Sequence, residues 1–369
     1  MKIAFIAFLG FPSKNAGSIN VMRSCESMAK LGHKVVLLAP MAHPLKEKDH
    51  GKSPFEYYGV STNFTLLRVP NWIGPGGRHT FTVLSTLALL KMRPNLVIGR
   101  YLRATLAATR LGFNTVYELH TTIKKKRRQL EKLLSYNNFR LLVAVSSQLR
   151  AYYLKQGISG LVPERIIASP VCREPVDIPP RPASLPRSTK GLAIGYFGKL
   201  EDQKGLPLIS DIVKRIKDHD FHIVGGTPQQ IRYWRERMAH EHVHFHGYVP
   251  PRDVGGFIEA MDVCLLPNTP PRTNPNGIIY SSPMKAFDYM AHGKLILASD
   301  LAELREILTE DTAIFLPHNR PDPWVSTIEQ LTTKTIKDIG TRAKAHFLKN
   351  LTNEVRWKRI IGHATNALQ

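Results

Sequence analysis

The chain has 369 residues, 43% hydrophobic and 22% charged, which is long enough for two domains with separate cores and too apolar for a disordered chain. Its cysteines, Cys25, Cys172 and Cys264, are widely spaced and odd in number; that excludes a disulfide framework and favours a reducing compartment. The net charge is +22, and residues 1–180 hold 26 Lys and Arg against 9 Asp and Glu, whereas residues 181–369 hold 25 against 20, so the basic excess implies an anionic partner for the first half: a membrane surface, a phosphorylated acceptor or nucleic acid.

The opening MKIAFIAFL reads as a buried first strand and not as a signal peptide, because GFPSKNAGS follows without a small-residue cleavage site. No apolar run reaches the roughly 18–20 residues of a membrane-spanning helix. Strands are predicted at Lys2–Phe8, Lys34–Ala39, Phe64–Val69, Asn95–Arg100, Thr115–His120 and Leu141–Ser146. These runs do not alternate, as expected of strands covered on both faces, and helical patterns separate them. That is the signature of a parallel, doubly wound sheet.

Two further stretches of the first half stand out. FLGFPSKNAGS (8–18) links the first strand to a helix, and KKKRRQLEKLL (124–134) is the densest basic run. In the latter, Leu130, Leu133 and Leu134 share a helical face. The stretch is either a basic amphipathic helix on an anionic bilayer or a core-packed helix with a solvated basic side.

Six prolines between Pro170 and Pro186 exclude helix and central strand there, and mark a linker. A second series of strands follows at Leu192–Gly198, Phe221–Gly225, Val243–Val249, Val263–Pro267, Leu295–Ser299 and Ala313–Leu316. The expected division is an N-terminal domain over 1–170, a linker over 171–190, a C-terminal domain over 191–345, and a C-terminal helix over 346–369 packing back on the first domain. Two such domains in tandem place a cleft at the carboxyl ends of their strands, where ligands bind.

Candidate chemistry sits in two segments. In GKLEDQKGLPLISDIVKRI (198–216), Lys199 and Lys204 precede Gly205 and a helix; two cations beside a helix N-terminus suit a diphosphate, although loop lysines are most often simply solvated. In IIYSSPMKAFDYMAHGKLILASDLAELREIL (278–308), Ser281, Ser282 and Pro283 open a helix whose free N–H groups form another anion cradle. Lys285 falls in its first turn. Asp288, further along, is either a ribose-binding carboxylate or a solvated helix residue.

The combination of GKLxxxKG with SPMKAFDYMAHGKLILASDLAELRE resembles the retaining nucleotide-sugar glycosyltransferases of GT-B architecture, the glycosyl transferases group 1 family in its Ser-Pro-x-Lys variant. The resemblance implies an α/β fold of two Rossmann-like, doubly wound parallel-sheet domains facing a cleft. It puts the family's basic pair on Lys199 and Lys204, as diphosphate ligands. Its Glu-x7-Glu signature falls on Tyr280 and Asp288, so that Asp288 binds ribose while Tyr280 replaces a residue that touches the donor sugar. Ser281, Ser282, Pro283, Met284 and Lys285 complete the donor site, and main-chain groups around Tyr248 resemble the nucleobase loop. Gly17 matches the glycine loop, and His120 matches the family's histidine near the donor sugar.

The implied reaction is transfer of a hexose with retention, from a nucleotide-diphosphate sugar, expected to be a UDP-sugar, to a glycan or lipid-linked acceptor. No metal or other cofactor, no protein nucleophile and no nucleic acid are expected. The cytoplasmic face of the membrane is the expected location, with peripheral contact through residues 124–134. Two other readings remain open: a sugar-nucleotide 2-epimerase of the same architecture, and a non-enzymatic basic protein that binds anions or lipid. Asp218-His219-Asp220 mimics a metal motif but precedes its strand, at the wrong sheet edge for ligands. His242, His244 and His246 alternate in HVHFHGY, which would suit zinc or, more blandly, sheet packing.

Overall fold

The computed structural model describes residues 1–43, 53–123, 126–172, 185–187, 191–250, 253–270 and 283–366. Two compact units divide the chain, and each is built on one wholly parallel sheet.

In the first unit, strands β1 (Lys2–Ile6), β2 (Lys34–Pro40), β3 (Thr65–Val69), β4 (Leu96–Gly99), β5 (Thr115–Leu119), β6 (Phe139–Ala144) and β7 (Ile166–Ala168) line up in the order β3-β2-β1-β4-β5-β6-β7. Helices α1 (Ala16–Lys30), α2 (Pro54–Tyr58), α3 (Gly77–Met92), α4 (Leu102–Arg110), α5 (Arg127–Leu134) and α6 (Ser147–Lys155) connect them. Strand β7 was not expected. Its three residues, Ile-Ile-Ala, are too short to carry a periodic signal, and they pair with Leu142–Ala144 of β6. The sheet separates two apolar layers. Ile3, Phe5, Leu37 and Ile98 face one, whereas Ala4, Ile6, Leu38 and Val97 face the other. That alternation within an unbroken apolar run is why the strands show no polar face in sequence.

The second unit orders β8 (Ala193–Phe197), β9 (Asp220–Val224), β10 (Val243–Gly247), β11 (Val263–Leu266), β12 (Leu295–Ser299) and β13 (Ile314–Leu316) as β10-β9-β8-β11-β12-β13. Its helices are α7 (Leu206–Val213), α8 (Pro228–Arg237), α9 (Val254–Glu259), α10 (Met284–Ala291), α11 (Ala302–Arg305), α12 (Asp322–Glu329) and α13 (Thr333–Asn350). Helix α13 runs past residue 345 because Phe347 is buried against Phe287 of α10.

The last helix, α14 (Asn353–Asn366), belongs to the first unit and packs on α1. Trp357 meets Phe5 of β1 edge-on, with ring centroids 6.0 Å apart. Beside it, Arg356 donates to Glu118 of β5 at 2.6 Å, and both side chains are buried. Burial alone would raise the Glu118 carboxyl; Arg356, aided by His120 and Arg100, overrides it and holds the group far below the ordinary carboxylate range. Arg356→Ala removes the carboxylate's one ion-paired hydrogen bond and leaves it only the weaker influence of His120 and Arg100, and we predict a loss of about 3–5 kcal/mol in urea denaturation at neutral pH. Because the native Glu118 is depressed, the pair's contribution is fully present above the unfolded value of 4.5 and is lost as pH falls below it. The difference between wild type and variant therefore narrows in acid.

Candidate active site

The second unit's strand order reverses between β8 and β11, and in doubly wound sheets ligands sit beyond the carboxyl ends of the strands at that reversal. Immediately after β8 the backbone passes through Gly198 at φ 139°. A Cβ there would lie 2.5 Å from Cε and 2.8 Å from Nζ of Lys285, so a side chain would displace the end of that lysine, and the positive φ itself favours glycine. Lys285 enters from the first turn of α10 and places Nζ 4.0 Å from the centre of the Tyr196 ring. Its nitrogen is buried and finds no hydrogen-bond partner among the described residues. Burial, reinforced by the charge of Lys204 and opposed by Glu201, pushes the lysine well below its ordinary value.

The neighbouring groups explain how this arrangement is held. The Tyr196 hydroxyl donates to the Lys199 carbonyl at 2.6 Å, fixing the loop after β8. The Tyr289 hydroxyl accepts from the Phe197 N–H at 3.3 Å and donates to the Leu265 carbonyl at 3.5 Å, which ties α10 to the ends of β8 and β11. Asp288, beside it, is buried. Pro283 caps α10 and Met284 begins it. Lys204 is half-buried at the end of a short 3-10 turn.

Of the predicted basic pair, then, Lys204 lies close enough to act electrostatically on Lys285. Lys199 instead turns its side chain to solvent, 76% exposed, with Nζ 3.4 Å from Glu201. Tyr248 is exposed just after β10. Tyr280, Ser281 and Ser282 lie outside the described residues.

One group in this unit was not expected. Glu303 in α11 is buried, with Oε1 unpartnered among the described residues. Burial raises its carboxyl, while its own backbone N–H, Lys204 and His318 act against that. It stands inside the string ASDLAELRE, where no local feature separates it from the flanking acids.

The histidines of β10 engage the neighbouring strand. His244 lies 3.2 Å from Asp220, and His246 lies 3.0 Å from His222. His242, just before the strand, points instead to the Val213 carbonyl. Among the described residues no group of three or more His, Cys, Asp or Glu is arranged to hold a metal ion.

In the first unit the reversal falls between β1 and β4. Gly17, at the start of α1, donates its N–H to Asn15 at 2.7 Å, while its carbonyl accepts from Arg100, just beyond β4, at 3.3 Å. A Cβ on Gly17 would come within 2.9 Å of the Arg100 guanidinium. Burial lowers Arg100 to about 10 against the pull of Glu118.

His120 follows β5 with its side chain 22% exposed and Nε2 3.6 Å from Glu118. Burial, then the charge of Arg100, pushes the imidazole down to about 4 although Glu118 opposes both, so it is neutral at physiological pH. Arg100, Glu118 and Arg356 were not anticipated. The strand-end position of Arg100, after the apolar LVIG, is a signal that the sequence does contain.

Two family models match the chain, one in each unit. Residues 19–167 match Glycosyltransferase Family 4, and residues 191–334 match Glycosyl transferases group 1. No curated protein matches the chain by sequence. Among solved structures, sucrose-phosphate synthase from Thermosynechococcus elongatus is 16% identical over 100% of both chains, with a TM-score of 0.72. Anabaena HepE in complex with UDP and glucose is 13% identical over 98% of both chains, with a TM-score of 0.69. The lipopolysaccharide outer core galactosyltransferase WaaB, in its apo form, is 16% identical over 99% of both chains, with a TM-score of 0.64. At these identities the structural likeness concerns the fold. With the two family models together spanning most of the chain, the protein belongs to the glycosyltransferases of the GT-B type.

Replacing Lys285 with methionine exchanges a buried ammonium, without a hydrogen-bond partner among the described residues, for an apolar group of similar length. We predict that Lys285→Met raises the stability of the ligand-free protein by about 1–3 kcal/mol while abolishing nucleotide binding. Chemical denaturation and calorimetric titration with UDP measure the two effects.

Proposed function

We propose that the protein is a retaining, metal-independent hexosyltransferase that uses a UDP-sugar to extend a glycan or glycolipid in cell-surface polysaccharide or lipopolysaccharide synthesis. It would work as a peripheral protein on the cytoplasmic face of the membrane. The observation that carries this reading is the buried ammonium of Lys285, unpartnered among the described residues, beside Lys204 at the reversal of the second sheet. A buried cation without an acceptor is costly, and a diphosphate supplies the missing oxygens. The UDP-glucose complex of HepE and the galactosyltransferase WaaB support a UDP-sugar and an outer-core type of acceptor.

In this reading Lys204 and Lys285 neutralise the diphosphate, with Lys199 reaching it from solvent. Pro283 and Met284 present the start of α10 to the phosphates, Ser281 and Ser282 are assigned to the donor by the family resemblance alone, main-chain groups near Tyr248 hold the base, and Asp288 holds the ribose. Gly17 lets backbone approach the donor, and the neutral His120 orients the sugar. The bond from the anomeric carbon to the diphosphate oxygen breaks as the acceptor oxygen bonds to the same face of that carbon. The acceptor proton passes to the departing phosphate, giving UDP and a glycoside. Catalysis is positioning plus electrostatic stabilisation of the leaving group.

Thermal-shift measurements with UDP, GDP, ADP and CMP, each with and without EDTA, test the reading. UDP alone is expected to raise the melting temperature by a few degrees at about 100 times its dissociation constant, EDTA is expected to change nothing, and Lys204→Ala to remove the shift. No shift with any of the four would refute the donor assignment. Interconversion of sugar nucleotides without acceptor would favour an epimerase.

A further inference from the structure

The helices α3, α4 and α5 pack side by side on one face of the first unit's sheet. Helix α5 turns Leu130, Leu133 and Leu134 fully into the core, so the leucines of the basic stretch at 124–134 are not available to a membrane. Helix α3 differs. It buries Phe81 and Leu89 against the sheet, yet leaves Val83, Leu87 and Leu90 exposed by 44, 54 and 47%. These three are spaced i, i+4 and i+7 and form one outward stripe. A helix that is apolar on both sides is not completed by water. The loop before it adds Trp72 and Ile73, 53 and 62% exposed, and the Trp72 indole donates to the Pro75 carbonyl at 2.9 Å, which holds the ring in place at the surface.

Cations border this apolar surface. Arg78, Arg103 and Lys126 line one cavity of about 360 Å³ together with the glycine-rich loop 74–76 and Tyr101. Burial and the charges of Arg103 and Arg78 lower Lys126. Between Pro70 and Leu134 the sequence carries 12 Lys and Arg against two Glu. Of these acids, Glu118 is buried against Arg356 and Glu131 pairs with Arg127, so neither neutralises the cavity.

We propose that the outer face of α3, with the Trp72–Ile73 loop, seats the protein on an anionic phospholipid bilayer, and that lipid phosphates occupy the cavity of Arg78, Arg103 and Lys126. Exposed tryptophan and aliphatic side chains flanked by Lys and Arg fit the boundary between headgroups and acyl chains. A second copy of the chain fits poorly, because its identical basic face would repel this one. The assignment deepens the membrane-face part of the proposed function but rests on this surface alone.

Trp72 provides the readout, since Trp234, Trp324 and Trp357 are buried. With the full chain, vesicles of phosphatidylcholine mixed with phosphatidylglycerol should co-sediment the protein and shift its tryptophan emission to the blue, and vesicles of phosphatidylcholine alone should do neither. The double variant Ile73→Ser/Leu87→Gln should lose the blue shift. Arg103→Gln/Lys126→Gln should weaken binding on the order of tenfold or more. Both variants should keep the wild-type melting temperature and UDP response, which separates failure of this surface from failure of the donor reading. Binding indifferent to all four substitutions would overturn the proposal. So would a protein that ignores anionic vesicles and sediments as a dimer that Leu87→Glu converts to monomer.

Discussion

Lys285 carries its ammonium group into the interior of the second unit, where Tyr196 offers a ring face and no described residue offers an oxygen. Much of the local architecture follows from making room for it. Gly198 takes a conformation that side chains rarely adopt, and a Cβ there would push the end of Lys285 out of its place. Tyr196 is pinned by the Lys199 carbonyl, and Tyr289 fastens α10 to the ends of two strands. In water such a lysine would be fully hydrated; here it is held short of a partner and easily loses its proton. The arrangement is unfavourable by itself and becomes favourable when an anion arrives, which is how a site concentrates binding energy on a leaving group.

The first unit handles buried charge in the opposite way. Glu118 and Arg356 pair directly through one buried hydrogen bond, across 238 residues of sequence, and the last helix is thereby tied to the strand that ends next to His120. With His120 held neutral and Arg100 anchored to the carbonyl of Gly17, this region is pre-set before any ligand binds. One unit keeps at its sheet reversal a cation with no hydrogen-bond acceptor among the described residues. The other keeps a buried ion pair near its own.

The alternation of strand and helix was legible because most buried parallel strands read as apolar runs, and twelve of the thirteen strands among the described residues fall on stretches expected from the sequence. Strand β7 did not, since three residues beside a proline-rich linker carry no period. The chemical segments after β8 and around α10 were legible as strings. What could not be read was which cation is buried: Lys199 and Lys204 look alike in GKLEDQKG, and only the fold exposes one while bringing the other close to Lys285. Arg356 was invisible for a different reason, because pairing over such a separation leaves no local trace. In α3, LSTLALL gives the same pattern for leucines that face the sheet and leucines that face outward, so the exposed stripe emerged only with the packing.

The most direct test is the titration of Lys285 itself, followed by NMR of its Cε resonance and assigned with Lys285→Met, in the free protein and with saturating UDP. Buried, and without an acceptor among the described residues, the free lysine should titrate well below its ordinary value of 10.5. Bound diphosphate should raise the midpoint by about one unit or more, because an opposite charge within contact distance favours the ammonium form. A midpoint that UDP leaves unchanged would contradict the assignment of this lysine as a seat for the donor phosphates.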